Sequence, residues 1–427
     1  MSTVLASAAS AEPAVLPATD AVVDRLRRAV DACMALLQRT AVEATTGSGD
    51  EVTWPTWELT NSGGPERCTG GRSTLYDGDA GIVWALQRLG SGLHRADVAA
   101  LAERATAALG RRPVLPGMGL LSGRVGVDLV VGSGAETQSS VGVSTDLAAA
   151  FPCSDLTSGL AGALLALTRM PDASPAVASN IVDALWRRSE RQLWGRGWPD
   201  HTQHGDEARP LCGMAHGASG IAWALAESAW RWPQLADTSL SLAAEALRFE
   251  AAWSDPLHGG WPDLRGAEPT WTARWCHGAA GAGAIRLRLL ELSARGLEVP
   301  WQDEAIRAEL EVAVQACGAE VWREREAWQA YGAAALGQGW TLCHGVGAPA
   351  AVLDLAATTL DEPAHRALAL DAAADFLDVA GDDPSQWPCG LTGADGDLGL
   401  FNGIAGTATL FADMAGIASS APAVLLG

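Results

Sequence analysis

A pair of glycines three residues apart recurs along this chain, each time leading into an apolar run. The copies are Gly78/Gly81, Gly123/Gly126, Gly159/Gly162, Gly217/Gly220, Gly278/Gly281 and Gly403/Gly406. Gly345-Val346-Gly347-Ala348 is a variant with its second glycine shifted by one. The seven first glycines stand between 36 residues (123 to 159) and 67 residues (278 to 345) apart. Units of this period mark repeat or ring architectures. Residues three apart share one face of a helical turn. Without Cβ atoms that face can lie close to a neighbouring backbone. Helix N-termini also present free N–H groups and a positive dipole end. Seven such turns gathered at one rim would build a polar pocket on a helical scaffold.

Between the glycine-started runs lie segments with apolar residues at three- and four-residue spacing: 21–38, 95–109, 176–192, 237–251, 303–316 and 364–379. Strand-like alternation is scarce. The pattern predicts an all-α fold, an α/α toroid of seven inner helices ringed by outer ones. The linkers around 54–72, 194–210 and 253–275 are rich in Pro, Trp, Asp and Gly. Residues 21–427 read as a single toroid. Residues 1–20, rich in Ala, Ser and Pro, read as a flexible tail or as a cut made in a longer protein.

Composition removes several functions. The formal charge of −21 disfavours nucleic acid and anionic membrane surfaces as partners. The chain contains no lysine, which excludes a lysine Schiff base, a P-loop lysine and the ATP-positioning lysine of protein kinases. No apolar run is long enough to span a bilayer. The N-terminal stretch lacks a basic region and a compact apolar block, so a cytoplasmic location is expected. Eight cysteines scattered without a secretory signal read as thiols or metal ligands rather than a disulfide framework.

Two of those cysteines sit beside histidines just before glycines: Trp275-Cys276-His277-Gly278 and Leu342-Cys343-His344-Gly345. Cys276, Cys343 and His344 read together as a zinc site with two thiolates and one imidazole. Three protein ligands leave a fourth position for water or substrate, as catalytic zinc sites do. His216, before the fourth glycine pair, has the titration range of an acid or base near neutrality. Asp155 stands four residues before Gly159. It could orient His216 or take part in proton transfer, and capping the following helix is the competing use. His277 could hydrogen-bond behind the metal or touch the substrate. Arg274 and Arg124, next to the pocket motifs, could polarise a carbonyl. Trp54, Trp57, Trp194, Trp198, Trp253, Trp261, Trp271 and Trp387 flank the linkers, where they could line a peptide groove or staple loops to the ring.

Leu75-Tyr76-Asp77-Gly78, the repeated glycine pairs, Ala215-His216-Gly217, Trp275-Cys276-His277-Gly278 and Cys343-His344-Gly345 together resemble the lanthionine synthetase C-like cyclases, from about residue 70 to the end. The Trp-Cys-His-Gly form resembles the cyclase domains of multidomain synthetases. The resemblance implies an α/α toroid with one zinc ion per chain, held by Cys276, Cys343 and His344. It implies that His216 is the acid or base, and that Asp155 matches the acid of an Asp-x-x-x-Gly motif. It also implies a reaction: a cysteine of a dehydrated precursor peptide adds to dehydroalanine or dehydrobutyrine and forms a thioether ring. Kinase and lyase domains or enzymes of a synthetase would be partners. Two other readings stay open. One is a zinc-bearing toroid that binds peptides or thiols without catalysis. The other is a glycosidase, for which Asp155, Asp200, Asp255 and Asp263 supply candidate carboxylates.

Overall fold

The computed structural model describes residues 18–46, 49–59, 65–68, 70, 72–113, 115, 117–132, 151–199, 208–391, 395–417 and 421–426. Most of the segment expected to form an N-terminal tail lies outside the described residues, as does Asp200.

Each of the seven glycine motifs opens a helix. These inner helices are α2 (Asp79–Gly92), α4 (Arg124–Val131), α5 (Leu160–Arg169), α7 (Ala218–Arg231), α9 (Ala279–Ala294), α11 (Gly347–Thr359) and α13 (Ile404–Met414). The outer helices among the described residues are α1 (Ala18–Thr40), α3 (Ala96–Arg111), α6 (Pro175–Arg188), α8 (Ala236–Ala251), α10 (Asp303–Tyr331) and α12 (Pro363–Ala380). Each inner helix packs on the next around the ring, and α13 packs on α2, so the toroid closes. The inner helices are apolar on nearly every face because neighbours cover every face: in α7 all residues from Ala218 to Ala229 are buried. Outer helices pair with inner ones, α3 with α2, α6 with α5, α8 with α7, α10 with α9, α12 with α11 and α1 with α13.

Two outer helices differ from their expected bounds. The expected 176–192 helix ends at Arg188, and Glu190–Arg191 (β5) turns back on Arg196–Gly197 (β6) through Gly195, at φ +74. The expected 303–316 helix runs on to Tyr331, because Cys317, Val321 and Trp328 continue the buried face. Three further hairpins fold into linkers: Val42–Thr46 (β1) with Gly49–Thr53 (β2), Thr56–Leu59 (β3) with Pro65–Cys68 (β4), and Pro262–Asp263 (β7) with Thr270–Trp271 (β8). Four of the eight linker tryptophans staple loops: the indoles of Trp54, Trp198, Trp261 and Trp387 donate to the Leu37, Leu185, Glu250 and Gly381 carbonyls, whereas Trp194 and Trp253 are exposed.

The seven loops before the inner helices share one construction. In every copy the N–H after the first glycine donates to the carbonyl six residues before that glycine, from Asp79 to Arg72 (2.9 Å) through Ala218 to Leu211 (3.0 Å) to Ile404 to Asp397 (2.8 Å). Both glycines are required by contact. A Cβ on Gly159 would stand 2.4 Å from the Asp155 backbone nitrogen. On Gly220 it would stand 2.1 Å from the Met214 carbonyl oxygen of the same loop and 3.1 Å from Leu156 Cβ of the preceding one. The second glycine therefore lets each helix lie against its own loop and the next repeat at once. No helix among the described residues is long and apolar enough to cross a membrane.

Candidate metal centre

The loop construction decides which side chains meet. The two residues before each first glycine are Tyr76-Asp77, Leu121-Ser122, Thr157-Ser158, Ala215-His216, Cys276-His277, Cys343-His344 and Phe401-Asn402, and all of these dipeptides but the last put at least one residue at the ring's mouth. A cavity of about 350 Å³ lies there, lined by Tyr76, Asp77, Ser122, Thr157, Ala215, His216, Cys276, His277, Cys343 and His344, with Arg72, Thr74 and Arg265 from flanking segments.

The first residues of these dipeptides also form a belt. Tyr76 N–H donates to Leu121 O (2.9 Å), Leu121 to Thr157 (2.9 Å), Thr157 to Ala215 (3.2 Å) and Ala215 to Cys276 (3.0 Å). On the other side Cys343 donates to Phe401 (2.8 Å) and Phe401 to Tyr76 (3.1 Å). Six of the seven links are thus backbone hydrogen bonds between equivalent positions. The seventh, Cys276 to Cys343, has no such backbone bond; the Cys276 Sγ instead faces the Cys343 carbonyl at 3.9 Å. The loop departs from its fellows at Gly278. Its φ is +130, where Gly78, Gly123, Gly159, Gly217 and Gly403 lie between −112 and −145.

The break coincides with the metal-ligand cluster. One donor atom from each of Cys276, Cys343 and His344 lies within 4.8 Å of the others, and both cysteines are buried. His344 Nδ1 lies 3.3 Å from the Gly390 carbonyl. A carbonyl only accepts, so Nδ1 carries the proton and Nε2 is the nitrogen left for a metal. Of the two thiols, Cys276 ionises first: the hydrogen bond from Cys343 holds it well below the ordinary thiol value, against burial, with His344 assisting. Burial and that first charge push Cys343 up, while the Tyr76 hydroxyl hydrogen-bonds to it. Asn402 Nδ2 in turn donates to the Tyr76 oxygen at 3.2 Å, and Tyr76 stacks on Phe401 at 4.8 Å. A buried pair in which the second thiol resists ionisation suits a doubly charged soft-tolerant cation, whose charge offsets both thiolates. The donor set therefore fits zinc.

Beside the cluster, His216 Nδ1 lies 2.5 Å from Asp155 Oδ2. Asp155 Oδ1 accepts the Ser158 backbone N–H at 2.7 Å. One carboxylate thus serves both contacts considered for it, holding its own turn and the imidazole. Burial pulls the His216 imidazolium down, but the hydrogen bond and charge of Asp155 outweigh it and leave the value raised. The His277 ring stacks on His216 at 5.6 Å, and neither of its nitrogens has a hydrogen-bond partner. Burial pushes His277 down to about 4, so it is neutral at ordinary pH.

The arginines are placed differently from the sequence candidates. Arg124 turns to Asp128, one turn along α4, and is not among the cavity-lining residues. Arg274 does not line the cavity either, although its charge acts on Cys343. The cavity instead receives Arg72, paired with Asp77 (3.2 Å), and Arg265, paired with Asp263 (2.7 Å). Arg265 lies in the turn between β7 and β8, which Arg209 holds by donating to the Leu264 and Gly266 carbonyls. No motif in the sequence announces it. Of the carboxylates considered for a glycosidase, Asp155, Asp255 and Asp263 are engaged by His216, His258 and Arg265, and Asp200 lies outside the described residues.

Comparison with known proteins bears on the fold and the family. A solved structure of nisin cyclase has a similar fold, with a TM-score of 0.56, 17% identity, and coverage of 83% of this chain and 92% of that one. A structure titled a possible member of GH105 family from Klebsiella pneumoniae subsp. pneumoniae MGH 78578 aligns at 11% identity and a TM-score of 0.45, over 95% of this chain and 94% of that one. No curated protein matches the chain. The family model described as lanthionine synthetase C-like protein matches residues 71–425, and the chain belongs to that family.

Proposed function

We propose that the chain is a zinc-dependent cyclase that closes thioether rings in a dehydrated peptide. The observation that carries this reading is the convergence of the Cys276, Cys343 and His344 donor atoms within 4.8 Å in a cavity that His216 also lines. Cys276, Cys343 and His344 would hold the ion. When bound, zinc supplies the Lewis acidity that keeps a substrate thiol ionised near neutral pH.

The reaction is an addition. The substrate cysteine loses its S–H proton, its sulfur bonds the β-carbon of dehydroalanine or dehydrobutyrine, and the alkene π pair moves to give an enolate. A proton then joins the α-carbon, so nothing is oxidised and nothing leaves. His216 Nδ1 is occupied by Asp155, which leaves Nε2 to carry that proton. Arg265 and Arg72, which both line the cavity, are the cations available to the enolate oxygen. His277, neutral, stacks on His216 and lines the cavity beside it. Residues 21–427 would form the one working unit, with kinase and lyase activities supplied elsewhere, and the reaction would take place in the cytoplasm.

The test is metal content by plasma mass spectrometry, joined to incubation with a synthetic peptide holding one dehydroalanine and one cysteine. About one zinc per chain, and loss of the alkylatable thiol at unchanged peptide mass, is the expected result. Metal-loaded protein that binds the peptide without consuming its thiol would instead make the toroid a binding protein.

A further inference from the structure

Behind the His216 loop lies a charged cluster that the reaction above does not use. Glu250, in the last turn of α8, and Arg286, on α9, have side chains with 0% exposure. Glu250 Oε1 accepts the backbone N–H of Gly213 at 2.7 Å and of Ser219 at 3.2 Å. Those two amides bracket His216, three residues away on either side. Glu250 Oε2 accepts from the Ser219 hydroxyl and from Arg286 at 2.7 Å. Arg286 also donates to Ser219 Oγ (2.8 Å) and to Glu309 on α10 (2.9 Å), and lies over the Trp261 ring at 4.7 Å. The Trp261 indole returns to the Glu250 carbonyl at 3.1 Å.

The loop between those amides is pinned on its other side by the metal segment. Ala215 N–H donates to Cys276 O at 3.0 Å. Gly213, at φ +98, lies so close that a Cβ there would stand 2.8 Å from the same oxygen. A buried ion pair contributes little to stability beyond what apolar residues of similar volume would give. Its value here lies in geometry. One oxygen closes both ends of a seven-residue turn and so fixes where His216 stands relative to Cys276.

We propose that Glu250, carried by Arg286, is a positioning residue for His216: it sets the imidazole's place at the cavity without touching substrate. The proposal rests on the cyclase reading for its kinetic arm only. The discriminating variant is Glu250→Leu with Arg286→Met, which removes the clamp while leaving no uncompensated buried partner of the pair. Glu250→Gln is the rescue variant, because its Oε1 still accepts both amides.

Three quantities are measured on folded, zinc-assayed protein: kcat and KM, zinc content, and the His216 ring-nitrogen signals in a ¹⁵N-histidine NMR spectrum. The double variant is expected to keep its zinc and its KM and to lose kcat by on the order of tenfold to a hundredfold, the range a small misplacement of a reacting group produces. Its His216 Nδ1 signal should shift or broaden as the Asp155 contact loosens. Glu250→Gln should restore most of kcat and a wild-type signal. Wild-type kcat and His216 signals in the folded double variant would overturn the proposal. So would loss of zinc and kcat in parallel in both variants, which marks a purely structural role. Should the double variant fail to fold, Ser219→Ala, which removes one bridge of the clamp, carries the same readouts: a shifted His216 signal supports the clamp and an unmoved one overturns it. A wild type without cyclase activity would sink the cyclase reading alone, because the NMR arm needs no substrate.

Discussion

His216 Nδ1 and Asp155 Oδ2 are 2.5 Å apart, and the other oxygen of the same carboxylate holds the Ser158 N–H at the turn into α5. The link joins the third and fourth loops of the ring side by side. It makes the protonation of His216 a property of two repeats rather than one.

Replacing Asp155 with asparagine should therefore lower the pKa of His216. In the folded chain burial pulls the imidazolium down, and the Asp155 hydrogen bond and charge reverse this to a net rise. Without the carboxylate, burial and Arg265 are opposed only by the smaller effect of the Cys276 charge. Titration of the His216 Cε1 proton by NMR reads the change. Because the folded value is raised, the stabilisation from this pair is complete below the unfolded value of about 6.5 and is lost as pH rises through the folded value. The stability difference between wild type and Asp155→Asn should thus be largest at acid pH and shrink above neutrality. A difference that grows with pH would show that the pair does not hold the proton. If His216 is the acid of the cyclisation, the alkaline limb of the rate profile should move to lower pH in the same variant.

Arg265→Ala should cost more activity than Arg124→Ala. Arg265 lines the cavity, whereas Arg124 is turned to Asp128 on its own helix. Loss of one donor to a developing oxyanion costs roughly 10²–10³ in kcat, and that is the expectation for Arg265→Ala at unchanged zinc content. Arg124→Ala takes the paired cation from the buried Asp128 carboxylate and so costs stability, but on the folded fraction it should leave kcat within about threefold, since the side chain is away from the reacting atoms. Equal losses in the two variants would remove Arg265 from the role.

The second glycine of each pair should tolerate nothing larger. A Cβ on Gly220 would stand 2.1 Å from the Met214 carbonyl oxygen, a backbone atom that cannot step aside. Gly220→Ala should destabilise by roughly 2–4 kcal/mol or prevent folding, the scale of overpacking in a rigid core. Gly117→Ala is the control: among the described residues nothing lies within 4 Å of its Cβ, and its φ is not positive. It should stay within about 0.5 kcal/mol of wild type in urea unfolding.

These contacts also explain what was readable in the sequence. The inner helices were legible because one steric demand, backbone against helix face, recurs at every copy and only glycine meets it. Cys276, Cys343, His344 and His216 were legible because each stands in the two positions before a first glycine. The same rule, applied to the other copies, would have brought forward Tyr76, Asp77, Ser122 and Thr157, all of which line the cavity. The bond of Tyr76 to Cys343 crosses from the first loop to the sixth, which no local motif reveals. Arg265 was hidden for a different reason. It reaches the site through a hairpin turn that Arg209 holds from another linker, and nothing local in the sequence fixes that placement. Arg124 shows the converse: it stands one residue after a first glycine, on the helix side, where the chain turns away from the mouth. The end of α10 at Tyr331 was missed because Val321 and Trp328 continue its buried face among many charged residues.

Removing the metal should loosen the whole rim and not only the ligand loops. Six links of the belt are backbone hydrogen bonds between equivalent residues, and the seventh, between Cys276 and Cys343, is the pair that would share the ion. Bound zinc would replace the missing backbone link with bonds through the two sulfurs. A ring closed at seven points restrains each loop from both sides, while a ring open at one point lets the loops relax in turn from the break. Metal bound to the folded state alone also stabilises it by mass action. Hydrogen exchange on zinc-loaded and chelator-stripped protein separates the two effects. The Cys343, Phe401, Tyr76, Leu121, Thr157 and Ala215 amides should exchange at least about tenfold faster without metal, equivalent to roughly 1.4 kcal/mol of local opening. The central amides of α7 should change far less, since their bonds lie within a helix buried on all sides. Faster exchange confined to residues 276–278 and 343–345 would mean that the belt is self-supporting and that the ion serves the chemistry alone.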